Sequence, residues 1–337
     1  MGNRPAAKFD EIAVVEAAYR LDGTEMDWIA GMASIAAPLL DEGCGVGACT
    51  FLAVDGNVEF DAIATVGGDP GFHEAVIAAC RETNTDITFR MYLSAPCTSL
   101  ATSGDAQRVE SDPGSQKLLD LGIRDVLAVL GTNPGGYGVA LMAYRRDPLI
   151  PSPRVRSRWS RIAIHLAAGL RLRRSLSTPR DRGDGCDHLE DSEAILTPSG
   201  RIEDAKGPAK PARDALARAV VAIERARGTQ RAEDPDLSLE TWRGLVAGRW
   251  SLVEHFDTDG RRFLLARKND PDVKAIAGLS KRECQVLSLR ARGISLKLIA
   301  YDLGLSVPSV SRSLRTGMAK LGVASEAELV TLFCRRL

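Results

Sequence analysis

The chain has 337 residues, of which 45% are hydrophobic and 26% charged. That is ordinary globular composition, long enough for two or three domains and apolar enough to bury real cores. No apolar run approaches the roughly 20 residues that span a bilayer, and acids inside the first apolar stretch exclude the continuous h-region of a secretory signal.

The seven cysteines are Cys44, Cys49, Cys80, Cys97, Cys186, Cys284 and Cys334. Their number is odd, their spacing irregular, and no C-x-x-C occurs. They form neither a disulfide framework nor a zinc site, which predicts a reducing compartment, the cytoplasm.

Net charge is zero overall but unevenly spread. Residues 1–150 carry net −11, 151–178 net +7, 179–274 net −2 and 275–337 net +6. An acidic front and a basic tail suggest a tail that meets a polyanion; the alternative is a solvated basic face.

Taken in chain order, residues 26–40 predict an apolar helix, with Trp28, Ile29, Met32, Ile35, Ala36 and Leu39 at helical spacing. Two strand-like runs then flank Asp55-Gly56-Asn57, a hairpin signal. FHEAVIAACRE predicts a helix. IRDVLAVLG and YGVALMAYRRD predict strands, with Asn133-Pro134-Gly135-Gly136 turning between them. Residues 153–176 predict a long exit helix striped by Trp159, Ile162, Leu166 and Leu170. The order is that of an α+β unit, residues 1–176, built on an antiparallel sheet. Polar residues 177–192 read as a linker. A smaller α+β unit follows at 193–270: a short hairpin, an Ala-rich helix, and a second hairpin around Asp257-Thr258-Asp259-Gly260.

Residues 275–337 predict an all-α four-helix unit. Ser280 and Glu283 form a capping box, and Gly293 stops the helix they open. Ser295 caps a second helix, Gly304-Leu305-Ser306 is a tight turn, and Ser306 caps a third that ends at Gly322. A fourth covers about 325–334. Two short helices joined by a Gly-containing three-residue turn are a helix-turn-helix. In the third helix, phase puts Val307, Val310, Leu314 and Leu321 on the core face, and Ser309, Arg312, Ser313 and Arg315 opposite. No acid occurs between Asp302 and Glu326. Such an outer face suits a major groove, where Arg reads guanine bidentately and Ser and Arg hold phosphates.

The run LSKRECQVLSLRARGISLKLIAYDLGLSVPSVSRSLRTGMAKLGVASEAELV resembles the DNA-binding domain of LuxR/GerE-type transcription regulators. The matching marks include Leu279, Glu283, Val286, Leu287, Gly293, Ile299, Ala300, Leu303, Gly304, Ser306, Val310, Leu314, Lys320-Leu321-Gly322-Val323 and Ala327-Glu328-Leu329-Val330. The resemblance implies that the third helix reads double-stranded DNA and that the fourth supports a homodimer. It places Lys297 on a phosphate-contacting lysine. With the outer face, it gives Lys297, Ser309, Ser311, Arg312, Arg315 and Lys320 as candidate DNA-binding residues. Leu298 stands where the family usually has Glu, and Ser311 where a basic residue is common, so the family's operator preference is not carried over. Residues 1–176 resemble GAF domains and 193–270 resemble PAS-type domains.

The whole then predicts a one-component regulator, with a sensor-like front acting on a helix-turn-helix dimer and RNA polymerase as a further partner. Trp28, Met32, Phe51, Met91 and Tyr137 are candidates to line a small-molecule pocket; plain core is the competing reading. The 153–176 stripe is a candidate dimer surface, with the fourth helix around Leu329 and Phe333 as the alternative. A protein-interaction signalling scaffold with a degenerate DNA-binding domain, or an enzyme with a GAF-like catalytic domain, are the rival functions. Against the enzyme, Gly43-Cys44-Gly45-Val46-Gly47 lacks a P-loop lysine. His73, His165, His188 and His255 have no metal spacing, no nucleophile–base set is evident, and no cofactor is implied.

Overall fold

The computed structural model describes residues 10–334 apart from 55–56, 84–86, 88–90, 93–94, 104–105, 178–191, 247–249, 272, 274 and 277. Most of the predicted linker, with Cys186 and His188, lies outside these residues.

Helices α1 (Glu11–Ala18) and α2 (Glu25–Leu40) open the fold. Thr24 and Asp27 close a capping box at the start of α2, satisfying donors that a helix end leaves free. Strands β1 (Val46–Val54) and β2 (Asn57–Val66) form the first hairpin, and α3 spans Phe72–Glu82. Strands β3 (Cys97–Ser99), β4 (Asp125–Thr132) and β5 (Tyr137–Arg145) complete an antiparallel sheet in the order β2-β1-β5-β4-β3. The glycine-rich run before β1 is a turn: Asp41 accepts hydrogen bonds from the amides of Gly43 and Gly45, both at 2.8 Å.

Side chains alternate across a strand with period two. On β5, Val139, Leu141 and Ala143 therefore enter one core, and Ala140, Met142 and Tyr144 the other. Both faces of the sheet are covered, so its central strands read as near-continuous apolar runs. This alternation corrects the candidate pocket. Trp28 and Met32 are buried with α1 and α2 on one face, Tyr137 packs against that same cluster, and Phe51 and Met91 are buried on the opposite face. Four of the five are core, Tyr137 is partly buried, and the sheet divides Trp28, Met32 and Tyr137 from Phe51 and Met91.

Helix α4 (Pro153–Ser177) is long, 25 residues, or about 37 Å at 1.5 Å per residue. It packs so closely on α1 that a Cβ added to Gly169 would sit 2.0 Å from the Ala18 carbonyl oxygen. Its stripe is a second correction. Trp159, Ile162, Leu166 and Leu170 are all buried inside the chain, so they offer no surface to a second copy. Six of the seven arginines between 154 and 174 are likewise engaged within the chain: Arg154 and Arg158 on Asp236, Arg158 also on Glu11, Arg161 3.8 Å from Glu240, Arg171 on Asn269 and Asn133, Arg173 on the carbonyls of Arg20 and Gly23, and Arg174 on Asp61.

The middle unit comprises β6 (Ala194–Leu196), β7 (Ile202–Ala205), α5 (Arg213–Arg227), α6 (Pro235–Thr241), β8 (Trp250–Phe256) and β9 (Arg262–Lys268). Its antiparallel sheet runs β7-β6-β9-β8. Its apolar side is not separate from the front: Leu216, Val220, Ile223, Trp242 and Trp250 join Ile162, Leu166 and Leu170 in one continuous cluster. The C-terminal helices α7 (Lys281–Ala291), α8 (Leu296–Asp302), α9 (Val307–Leu321) and α10 (Glu326–Cys334) have their own core of Val286, Leu287, Ile299, Val310, Leu314, Leu329 and Phe333. No helix of the described residues is long and apolar enough to cross a membrane.

Candidate nucleic-acid interface

Each helix of the C-terminal unit starts where a serine hydroxyl can accept from a free amide. Ser280 accepts from Glu283 N, Ser295 from Leu298 N and Ser306 from Ser309 N. In return the Glu283 carboxylate accepts from Ser280 N, and both its oxygens accept from Lys320 Nζ, at 2.9 and 2.8 Å. The Lys320 ammonium, then the Ser280 amide, hold the Glu283 carboxyl below the ordinary carboxylate range. Lys320 thus ties the end of α9 to the start of α7. Where α9 crosses α7, glycine allows close approach: a Cβ on Gly317 would lie 2.7 Å from Leu287 Cδ1 and the leucine would have to shift. Arg290 clamps α10 through Glu326, with Nε to Oε1 at 3.0 Å. Gly322 ends α9 in the left-handed conformation, as a C-terminal cap favours.

These restraints fix the roll of α9. Val310, Leu314 and Gly317 face inward, while Ser309, Arg312, Arg315 and Thr316 are exposed. Ser309, Arg312 and Arg315 recur at three-residue steps and share a face. Ser311 and Ser313 are half-buried at its flanks. Lys320 is exposed and in the same angular phase as Ser309, but eleven residues on, about 16 Å along the axis, and it is spent on Glu283. Lys297 is exposed in the first turn of α8. One expectation fails: Val307, placed on the core face by helical phase, is 41% exposed. At the first position of α9 it lies beyond the helices that would cover it.

The helical unit is also seated on the rest of the chain, which sequence reasoning missed. Tyr301 of α8 donates to the Leu239 carbonyl at 2.7 Å, contacts the Trp242 carbonyl, and lies 2.6 Å from His165 Nε2. The other ring nitrogen of His165 is 3.0 Å from the Tyr19 hydroxyl. Burial pushes His165 down to about 3 and Asp302 up to about 6, the latter opposed by Arg171. Arg292, lowered to about 10 by burial, donates to the carbonyls of Asn133 and Pro134 at 2.6 and 2.7 Å. No sequence pattern joins residues this far apart.

Residues 277–333 match the family described as bacterial regulatory proteins, luxR family. A curated relative, the Transcriptional regulatory protein FixJ of Azorhizobium caulinodans, is 48% identical over 59 residues, 18% of this chain and 28% of that protein. The match thus spans little more than a quarter of the relative's length. A solved structure, SdiA in complex with octanoyl-rac-glycerol, aligns over 98% of this chain and 95% of its own at 13% identity, with a TM-score of 0.27, which carries no argument about fold. Residues 277–333 are therefore a helix-turn-helix domain of the luxR family of bacterial regulatory proteins.

Proposed function

We propose that the protein is a transcription regulator that binds double-stranded DNA through α9. The observation that carries this reading is the exposed, acid-free face of Ser309, Arg312 and Arg315 on a helix whose roll is fixed by Gly317 against Leu287 and by Lys320 on Glu283. The name of the FixJ relative supports it. Lys297 anchors a phosphate, Arg312 and Arg315 reach base edges, and Ser309 and Ser311 support backbone contacts. The front and middle units act as sensor-like modules of GAF and PAS type, whose stimulus reaches the reading helix through the seat of Tyr301 on His165. A homodimer places two copies of α9 on adjacent half-sites about one helical turn apart, and RNA polymerase is the downstream partner.

Fluorescence anisotropy of the full chain on labelled duplex DNA tests this. Binding should weaken with salt, log K falling linearly against log salt with a slope of about −0.9 per phosphate neutralised. Genome-wide occupancy then locates the operators. Absence of binding to any duplex at low salt would instead favour the scaffold reading.

A further inference from the structure

The cationic surface around Lys297 does not stop at the edge of the helix-turn-helix domain. Lys297 and Val307 line one wall of a cavity of about 500 Å³, and Arg156, Arg161, Glu240 and Arg243 line the other. Four cations and one acid therefore face a single cleft between α4 and the first turns of α8 and α9.

Arg161 is partly answered, 3.8 Å from Glu240 and with its guanidinium 5.9 Å from the Tyr301 ring centroid. Arg156, Arg243 and Lys297 are exposed and make no ion pair among the described residues. This contrasts with the other arginines of α4, each held by an acid or by carbonyl and amide oxygens. Gathering like charges raises the local positive potential, and a polyanion is the partner that relieves it. Guanidinium groups match phosphate oxygens in a fork geometry.

The position of the cleft favours one source of phosphate. In a helix-turn-helix the start of the reading helix enters the major groove while the preceding helix crosses the backbone. Here those elements are α9, beginning at Val307, and α8, with Lys297 in its first turn. Lys297 lines the same cleft as Arg156 and Arg243, so a backbone held at Lys297 would lie beside both arginines.

We infer that Arg156 and Arg243 contact phosphates of the same DNA duplex, beyond the base pairs that α9 reads, so that the seated N-terminal units form part of the DNA-binding surface. This rests on the reading of α9 given above.

The test is anisotropy of the full chain on a 40-base-pair labelled duplex between 0.05 and 0.2 M salt, comparing wild type, Arg156→Ala/Arg243→Ala, and Arg218→Ala/Arg225→Ala. The last pair removes the same charge from exposed positions on α5, and circular dichroism checks folding. The cleft variant should bind roughly ten- to hundredfold more weakly near 0.1 M salt and flatten the salt slope by about two units, while the α5 variant keeps the wild-type slope. Equal slopes for both double variants overturn the inference while leaving the α9 reading intact. So does calorimetry in which inorganic tripolyphosphate binds wild type saturably, the cleft variant loses that heat, and DNA affinity is unchanged; the cleft then takes a free anion. Wild type that binds no duplex at all removes the α9 reading and this inference together.

Discussion

The hydroxyl of Tyr301, on the first helix of the helix-turn-helix, lies 2.6 Å from Nε2 of His165, on the long helix that leaves the front sheet. The two residues are 136 positions apart, and both are buried. Around them the hydroxyl of Tyr19 and the carbonyls of Leu239 and Trp242 complete a polar cluster inside an apolar interface. A buried polar cluster holds a geometry only while its members are satisfied.

Tyr301→Phe keeps the ring and deletes the hydroxyl. It removes the one proton that this hydroxyl donates and leaves the buried Leu239 carbonyl short of a partner, a loss of about 1–3 kcal/mol. The urea midpoint should fall with an unchanged slope. A midpoint equal to wild type would show that the cluster does not hold the two parts together.

Asp302 gives the same interface a pH dependence. Its carboxyl sits near 6 in the folded chain, against an ordinary value near 4 when unfolded. Between pH 4 and 6 the native state therefore binds more protons, and this group's contribution to stability falls as pH rises. His165 acts oppositely: held near 3 when folded, it costs stability as pH drops below its unfolded value of about 6.5. Asp302→Asn removes only the first effect. The stability of the variant relative to wild type should rise by about 2 kcal/mol from pH 4 to pH 7. Urea unfolding at both pH values measures it, and a flat difference would refute the buried carboxyl.

Much of this architecture is legible because local chemistry and tertiary fold agree. Ser280, Ser295 and Ser306 precede helices and cap them; the alternation along β5 divides its side chains between two cores. What escapes notice depends on long-range packing. The stripe of α4 reads as an available face, and only the fold reveals that α1, the sheet and the middle unit cover it. Trp28 and Phe51 are similar apolar residues in the sequence, yet a sheet separates them. Arg292 looks like a solvated charge at the end of α7, whereas its guanidinium is spent on the turn at Asn133 and Pro134. Val307 has the right phase for the core but lies one turn past the helices that would cover it.

Lys297 and Arg312 should separate by the kind of loss they cause. Lys297→Ala should weaken specific and random duplexes alike and flatten the salt slope by about one unit. Arg312→Ala should cost about 1–3 kcal/mol on the best operator and relax its discrimination. Anisotropy on operator and scrambled duplexes reads both, and equal losses on the two DNAs for both variants would undo the assignment.

Burial moves the candidate surface for the proposed dimer. Trp159, Ile162, Leu166 and Leu170 are occupied inside the chain, and so are Leu329 and Phe333, which belong to the core of the helical domain. On α10, Val330 is different: it sits next to Leu329 but is 38% exposed. A single helix-turn-helix reads few base pairs, and a genome offers millions of competing sites, so pairing two units is the economical route to discrimination. A two-fold contact through α10 would place Val330 of each copy near the axis and bury its apolar surface. Val330→Asp would put two like charges there and should abolish the dimer while leaving the fold intact, because the native side chain makes no part of the buried core. Sedimentation of wild type and variant at micromolar concentration, with and without operator DNA, decides the matter. A variant that still dimerises would remove α10 from the contact, and a wild type that is monomeric both free and on DNA would remove the dimer.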